Sequence, residues 1–368
     1  MKSKKRNWLK LSLQGGTLLA IVAFILYGIF FGEQRADPEA YCPFGGLQAI
    51  GSYLHNNSLA CSMSMAQIMM GVVLAVGVIL FSKLFCGYLC PLGTIGEYLG
   101  KGGRKLKMNF DLKPGGIADR GLRIVKYGLL FVVFYMSVSS SELFCKNFDP
   151  YYAMATGFKG EITAWMTSIS IVLLFLGSFF IKMFWCKYIC PLGALSNIFK
   201  FTITFVGLLL LFWLLGWAGL PSAWVWALGA ACLIGYLYEM IYLRSKVFPL
   251  LRIVRDAESC NGCGSCTKKC PYHIDLKELK TVRHIDCTLC GDCVSSCPKG
   301  SLQVGGKKSL RWLPGILTIV LFVLALILGN QWELPTIDER WGNTEQVGEM
   351  KTFEMEGLTS IKCYGSSK

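Results

Sequence analysis

Seven apolar stretches divide the chain, at residues 11–31, 65–81, 122–138, 166–184, 203–217, 223–242 and 313–329. A helix needs about 20 mostly apolar residues to cross a bilayer, so the pattern predicts seven membrane spans. The second and fifth are short for a full crossing. The polar stretches between them differ in charge. Lys83, Lys101, Arg104, Lys105, Lys107, Lys113 and Arg120 fall between stretches two and three, and Lys187 and Lys200 between four and five. Arg244, Lys246, Arg252 and Arg255 follow the sixth, whereas the alternate loops carry only Arg35, Lys146 and Lys159. Basic loops stay on the cytoplasmic side. The asymmetry therefore predicts a cytoplasmic N-terminus and a cytoplasmic polar segment at 250–305. The tail beyond Gly329 falls outside, and it is acidic, with Glu333, Asp338, Glu339, Glu345, Glu349, Glu354 and Glu356.

The first stretch follows Lys2, Lys4, Lys5 and Arg6, as a signal peptide would. It is longer than a signal core and lacks a clear small-x-small cleavage site, so it reads as an uncleaved span. Hydrophobic residues make up 53% of the chain and charged ones 16%, against about a quarter charged in soluble domains. The formal net charge of +14 could point to nucleic acid. Its basic residues sit mostly at the ends of apolar stretches, without a nucleic-acid-binding pattern, and no nucleic-acid partner is expected. No phosphate loop, nucleophile–base pair or dinucleotide fingerprint is visible, which leaves no substrate-level chemistry in sight.

Cysteine spacing supplies the chemistry. Cys260, Cys263, Cys266 and Cys270 run C-x2-C-x2-C-x3-C before Pro271, and Cys287, Cys290, Cys293 and Cys297 repeat the run before Pro298. In such runs three thiolates wrap one 4Fe–4S cube and the fourth reaches the other cube. Cluster 1 is thus expected on Cys260, Cys263, Cys266 and Cys297, and cluster 2 on Cys287, Cys290, Cys293 and Cys270. A zinc site usually pairs two shorter knuckles, so an electron carrier is the stronger reading. Lys268, Lys269 and Lys299 flank the cubes; their charge would raise cluster potentials or meet an acidic partner.

A second motif is duplicated. Phe85-Cys-Gly-Tyr-Leu-Cys-Pro-Leu-Gly93 recurs as Trp185-Cys-Lys-Tyr-Ile-Cys-Pro-Leu-Gly193, one hundred residues later. Upstream of each copy lies one loop cysteine, Cys42 or Cys145. Spans one and two thus read as a copy of spans three and four, an internal parallel repeat of the kind that builds a site between its halves. Cys86, Cys90, Cys186 and Cys190 would share one end of the membrane domain. There they could close around a further iron–sulfur cluster, a single iron or a zinc ion, or simply pack at a helix break. Cys42 and Cys145 are expected at the outer face, too far to join them, as a disulfide, a metal site or the end of a short re-entrant helix. Cys61 and Cys232 read as packing residues. Glu239 is a functional candidate inside a span or an ion-pair partner of Arg244. His55 and Glu142 read as solvated loop residues, with quinol proton acceptance as the rival reading.

Together the two C-x3-C-P elements, the double ferredoxin run and Cys42-Pro-Phe-Gly-Gly resemble the membrane-bound polyferredoxins. These are typified by NapH-type quinol dehydrogenase subunits, with relatives in the NosR and CcoG (FixG) families. The resemblance covers roughly residues 10–300 and implies electron passage between membrane quinol and redox partner proteins, a periplasmic reductase or a cytoplasmic donor. It implies a bacterial inner-membrane location, lipid contact and a cytoplasmic ferredoxin domain. The seventh span and outer tail depart from the NapH pattern. Residues 353–367 look like the start of a heavy-metal-associated domain in which only Cys363 occupies the metal loop; a truncated or unfolded tail is the simpler reading.

The expected fold is a polytopic α-helical membrane protein of about seven spans with an inserted α+β bacterial-type ferredoxin domain carrying two 4Fe–4S clusters. Residues 1–249 form the six-span membrane domain, 250–305 the ferredoxin domain, 306–330 the seventh span and 331–368 the tail. The expected role is an electron-transfer subunit of a quinol dehydrogenase. A CcoG-like copper reductase in oxidase assembly is the alternative, and a membrane sensor ranks lower because no signalling module is present.

Overall fold

The computed structural model describes residues 6–31, 42–56, 65–110, 112, 115–140, 144–156, 158, 162–219, 224–242, 249–277, 279–306 and 308–331. Cys61, Glu142, Arg244, the tail with Cys363 and the side chain of His55 lie outside the described residues.

Each predicted span falls on a helix, but the helices differ in length. Among the described residues, four segments are long and apolar enough to cross a membrane: Trp8–Tyr27, Ile117–Ser139, Trp224–Ile241 and Leu310–Gly329. They lie in α1 (Trp8–Phe31), α6 (Ile117–Ser140), α12 (Trp224–Tyr242) and α15 (Leu313–Gln331) with the turn before it. The second predicted span is the shorter α3 (Met65–Phe81), preceded by α2 (Pro43–Asn56). The fourth is broken: α8 (Ala164–Val172) runs through a π-turn at Leu173–Gly177 into the single turn α9 (Ser178–Phe180). There the backbone at Ile181 becomes extended. The fifth span is one arm of a pair, α10 (Pro191–Lys200) and α11 (Thr202–Trp217), bent by 91°. Every residue of α10 is buried and none of α11 is. The arm inside the protein is packed by it, and the arm outside offers an apolar surface suited to lipid.

Between the spans lie α4 (Leu84–Tyr88), α5 (Pro91–Lys105) and α7 (Pro150–Ala155). The sequence after Arg252 forms a small antiparallel sheet: β1 (Ile253–Arg255) sits between β2 (Thr281–Val282) and β3 (Leu302–Val304). Ile253 pairs with both Val282 and Val304. All three are buried, because period-2 alternation turns them to the same face. Two one-turn helices, α13 (Ser265–Lys269) and α14 (Asp292–Ser296), follow Gly264 and Gly291. Both glycines hold φ near +70°, a left-handed entry that other residues resist.

The sheet does not stand apart from the helices. Ile253, Leu276, Val282 and Leu302 share one apolar cluster with Leu84, Tyr88 and Leu89 of the membrane side. Basic residues that the sequence pattern assigns to solvated loops contact it too. Lys200 Nζ donates to the carbonyls of Ile285 and Cys287 at 2.5 and 3.1 Å, and Arg104 donates to Lys268 O at 3.1 Å. Lys200 and Arg104 thereby tie two of the basic segments directly to the cysteine-rich segment.

Candidate metal centres

The first set of expected ligands, Cys260, Cys263, Cys266 and Cys297, lines one small pocket with Arg255 and Lys277. Fragments 37 residues apart in sequence thus meet as the cross-over rule demands. Cys263 is exposed. The Gly262 N–H, then the Arg255 side chain, hold the Cys260 thiol below its ordinary value. The second set is deeper. Burial pushes the Cys293 thiol up, and the Cys290, Cys270 and Cys287 sulfurs around it add to the rise. Burial also pushes Cys270 up to about 11, against the pull of the Ile274 N–H. Four thiols crowded in this way favour a positive metal unit that takes them as thiolates. Both sets fit a 4Fe–4S cluster.

Helices hold the second set from one side. Ser82 Oγ donates to Cys287 O at 2.6 Å, and Asn7 Nδ2 donates to Cys290 O at 2.8 Å. Tyr88 OH donates to Leu289 O at 3.3 Å. Lys10 bridges Glu97 at 2.8 Å and Asp292 at 2.6 Å. Below Asp286, three buried acids and three buried bases interlock. Arg123 pairs with Asp119 at 3.0 Å, Asp286 at 2.9 Å and Glu239; Lys126 pairs with Glu239 at 2.7 Å, and Lys187 with Asp119 at 3.1 Å. Tyr127 and Asn197 also donate to Glu239. Glu239 is therefore an ion-pair residue, with Arg123 and Lys126 as its basic partners among the described residues; the expected Arg244 lies outside them. Sequence reasoning passed over this network. Arg123 and Lys126 fall inside the third apolar stretch with Asp119 one helical turn before it, and charges inside a span are the signal that could have found it.

The C-x3-C-P copies have closely matched backbones. Cys90 and Cys190 each take an extended conformation, φ/ψ −63°/118° and −62°/116°, imposed by the following proline. Each N–H reaches back five residues, to Phe85 O and Trp185 O. A Cβ on Gly93 or Gly193 would stand 2.8 Å from the carbonyl oxygen of Cys86 or Cys186, so the turn closes only on glycine. The two elements face a largely apolar chamber of about 460 Å³.

Cys86, Cys90, Cys186 and Cys190 all line that chamber, and so do Cys42 and Cys145. The separation from the other four expected for the last two does not hold. Cys42 leads into α2, whose Phe44 and Leu47 pack in the core beside Cys145. The turn carrying Cys145 likewise comes back into that core before Asp149 caps α7. Loop charge sorts faces of a membrane and is blind to loops that re-enter the bundle. Cys232 is buried in the same core, as expected of a packing residue. Tyr272, two residues after Cys270, closes the chamber from the ferredoxin side.

Comparison with known proteins agrees with this arrangement. A family model described as a 4Fe-4S binding domain matches residues 63–109 and 163–202, and a 4Fe-4S dicluster domain matches 252–298. YccM of Escherichia coli, whose name assigns it provisionally to electron transport, is 30% identical over 257 residues, covering 68% of this chain and 58% of YccM. The regulatory protein NosR of Stutzerimonas stutzeri is 34% identical over 127 residues, 33% of this chain and 17% of NosR. The ferredoxin-type protein NapH of Haemophilus influenzae is 31% identical over 119 residues, 32% of this chain and 38% of NapH. The chain fits the membrane-bound polyferredoxins of the NapH and NosR group. This polyferredoxin spans less than two thirds of each of these relatives. No solved structure matches it. Its helices and 4Fe–4S domains make it a membrane iron–sulfur protein.

Proposed function

We propose that the polyferredoxin carries electrons between the membrane quinone pool and a redox partner protein, as a quinol-dehydrogenase subunit of the bacterial inner membrane. Two 4Fe–4S clusters, on Cys260, Cys263, Cys266 and Cys297 and on Cys270, Cys287, Cys290 and Cys293, would supply one-electron transfer when bound. The protein's own residues order the route. Ser82, Lys200, Asn7 and Tyr88 seat the second cysteine set on the membrane helices. The first set opens to water at Cys263. That difference carries the reading: one end suits a membrane donor or acceptor and the other a protein partner. The positive-inside asymmetry supports a cytoplasmic ferredoxin segment. The matched C-x3-C-P backbones support an internal parallel repeat.

In membrane vesicles, a quinol analogue should bleach the cluster absorbance of the full chain, and Cys290→Ser should abolish the response. Clusters that are intact yet deaf to every quinol and quinone would overturn the reading. The thiol-lined chamber favours one rival, a CcoG-like copper reductase. Reoxidation of reduced clusters by copper ions and not by quinone would select it.

A further inference from the structure

Six cysteines from four separate parts of the chain converge on one chamber: Cys42, Cys86, Cys90, Cys145, Cys186 and Cys190. The remaining lining is mostly apolar, so the thiols are its main reactive groups. Cys90 lies within electrostatic reach of Cys86, Cys186 and Cys190, and all four line the chamber. Packing alone explains a cysteine here and there; it does not explain six on one cavity. A quinone is a poor occupant, because a thiolate is a nucleophile and a quinone ring is its electrophile.

Spacing limits the metal. Among the described residues no three His, Cys, Asp or Glu side chains stand close enough to hold a single ion, and this includes the ferredoxin cysteines. The chamber thiols, like the ferredoxin cysteines, are therefore not gathered as a single-ion site. Lys83 also lines the chamber and donates to Gly193 O at 3.2 Å, bringing positive charge to a thiolate-rich site. On the ferredoxin side Tyr272 lines the same chamber as Cys186, and its hydroxyl favours the thiolate there. Tyr272 is two residues from Cys270 of the second set, so one short segment touches both sites.

We propose that these six thiols hold a third iron–sulfur centre within the membrane domain, linked to the second ferredoxin cysteine set through Tyr272. The 4Fe-4S family model covers the C-x3-C-P cysteines but neither Cys42 nor Cys145; the structure joins all six. Exchange between the two sites is a one-electron step in which one side loses what the other gains, with no bond made or broken. The inference rests on the electron-transfer reading above for its role, but not for its existence.

Iron and acid-labile sulfide, counted on the full chain purified without oxygen, test it together with electron paramagnetic resonance. Two cubanes account for about eight irons per chain, and the wild-type protein should hold distinctly more. The double variants C86S/C186S and C42S/C145S should each return the count to about eight, while the ferredoxin signals persist and report an intact fold. Tyr272→Phe should keep the iron but lower the potential of the extra centre, because the polar hydroxyl beside the thiols is lost. A wild-type count of about eight overturns the proposal, as does excess metal that is zinc or copper without sulfide. Wild-type iron in C42S/C145S overturns the six-thiol set, and an unchanged potential in Tyr272→Phe overturns the link. Extra iron in a protein deaf to quinol would sink the quinol reading and leave the centre standing. Eight irons that respond to quinol would do the reverse.

Discussion

Cys263 and Cys290 hold the same place in two runs of identical spacing, yet one meets water and the other is held by Asn7, the residue just before the first membrane helix. Cys260 and Cys287 differ in the same way: the carbonyl of Cys287 takes bonds from Ser82 and Lys200. A C-x2-C-x2-C-x3-C run specifies a loop that wraps a cube, and that loop is satisfied in either place. Surroundings decide what the cube can do. Burial and hydrogen bonds set its potential, and exposure sets which partner reaches it. A symmetric motif is thereby made into a directed route, from water to membrane or back.

Serine substitutions should break the comparison most visibly. Cys263→Ser should lose about half the ferredoxin iron and leave the Ser82 and Asn7 contacts, and so the seating on the helices, in place. Cys290→Ser should lose a similar amount but also expose the 284–292 segment. Iron analysis paired with limited proteolysis reads both effects. Equal protease resistance in the two variants would mean that seating does not depend on the second cluster.

The charge network beneath the second run comes next. Removing one partner from a buried ion cluster typically costs 3–5 kcal/mol. Arg123→Met leaves Asp119, Glu239 and Asp286 with Lys126 and Lys187 as the remaining basic partners and His284 3.9 Å from Asp286. Its destabilisation should be of that order, read by thermal unfolding in detergent. Lys268→Met, on the exposed first run, should change stability by less than about 0.5 kcal/mol.

How much of this was written in the residues varies from element to element. The spacing from Cys260 to Cys297 announces its own chemistry, because few other structures need four cysteines per run. The apolar stretches mark helices, yet the breaks at Ile181 and at the bend near Phe201 depend on packing that no hydropathy window sees. Cys42 and Cys145 were misplaced for a related reason: their loops return to the core through Phe44 and Phe148. The difference between the two ferredoxin runs was not legible either. It arises from residues far off in sequence, such as Asn7 and Ser82, that carry no motif.

A pH dependence sharpens the comparison further. Glu97 is buried, which raises a carboxyl, but Lys10 and Lys101 more than offset this and hold it down to about 2. A carboxyl depressed in the folded state stabilises fully above its unfolded value of about 4.5, and that stability is lost as pH falls toward 2. A depression of this size is worth about 3 kcal/mol. Glu97→Gln should therefore weaken the protein by roughly that amount at pH 7 and flatten the acid limb of its stability curve. His284 acts in the same direction: burial lowers it to about 4, so the fold loses stability between pH 6.5 and 4 as the unfolded chain gains a proton. An unchanged acid limb in Glu97→Gln would remove Lys10 and Glu97 as the clasp of the second run.

The water-facing run should show the smallest effect on stability and a distinct one on encounter. Lys268, Lys269 and Lys299 are exposed around it, where pairing is worth little to the fold. Exposed charge instead steers a partner of opposite sign and raises its on-rate. A triple change to Gln should leave the unfolding midpoint unmoved while slowing reduction by an acidic flavodoxin several-fold at low salt. The difference should fade near 1 M salt, where screening falls to about 3 Å. The same three charges cannot do for the second run what Lys10 and Lys200 do, because they are already hydrated and gain nothing from seating. A triple variant that unfolds earlier yet reacts at the wild-type rate would reverse the roles assigned to the two runs.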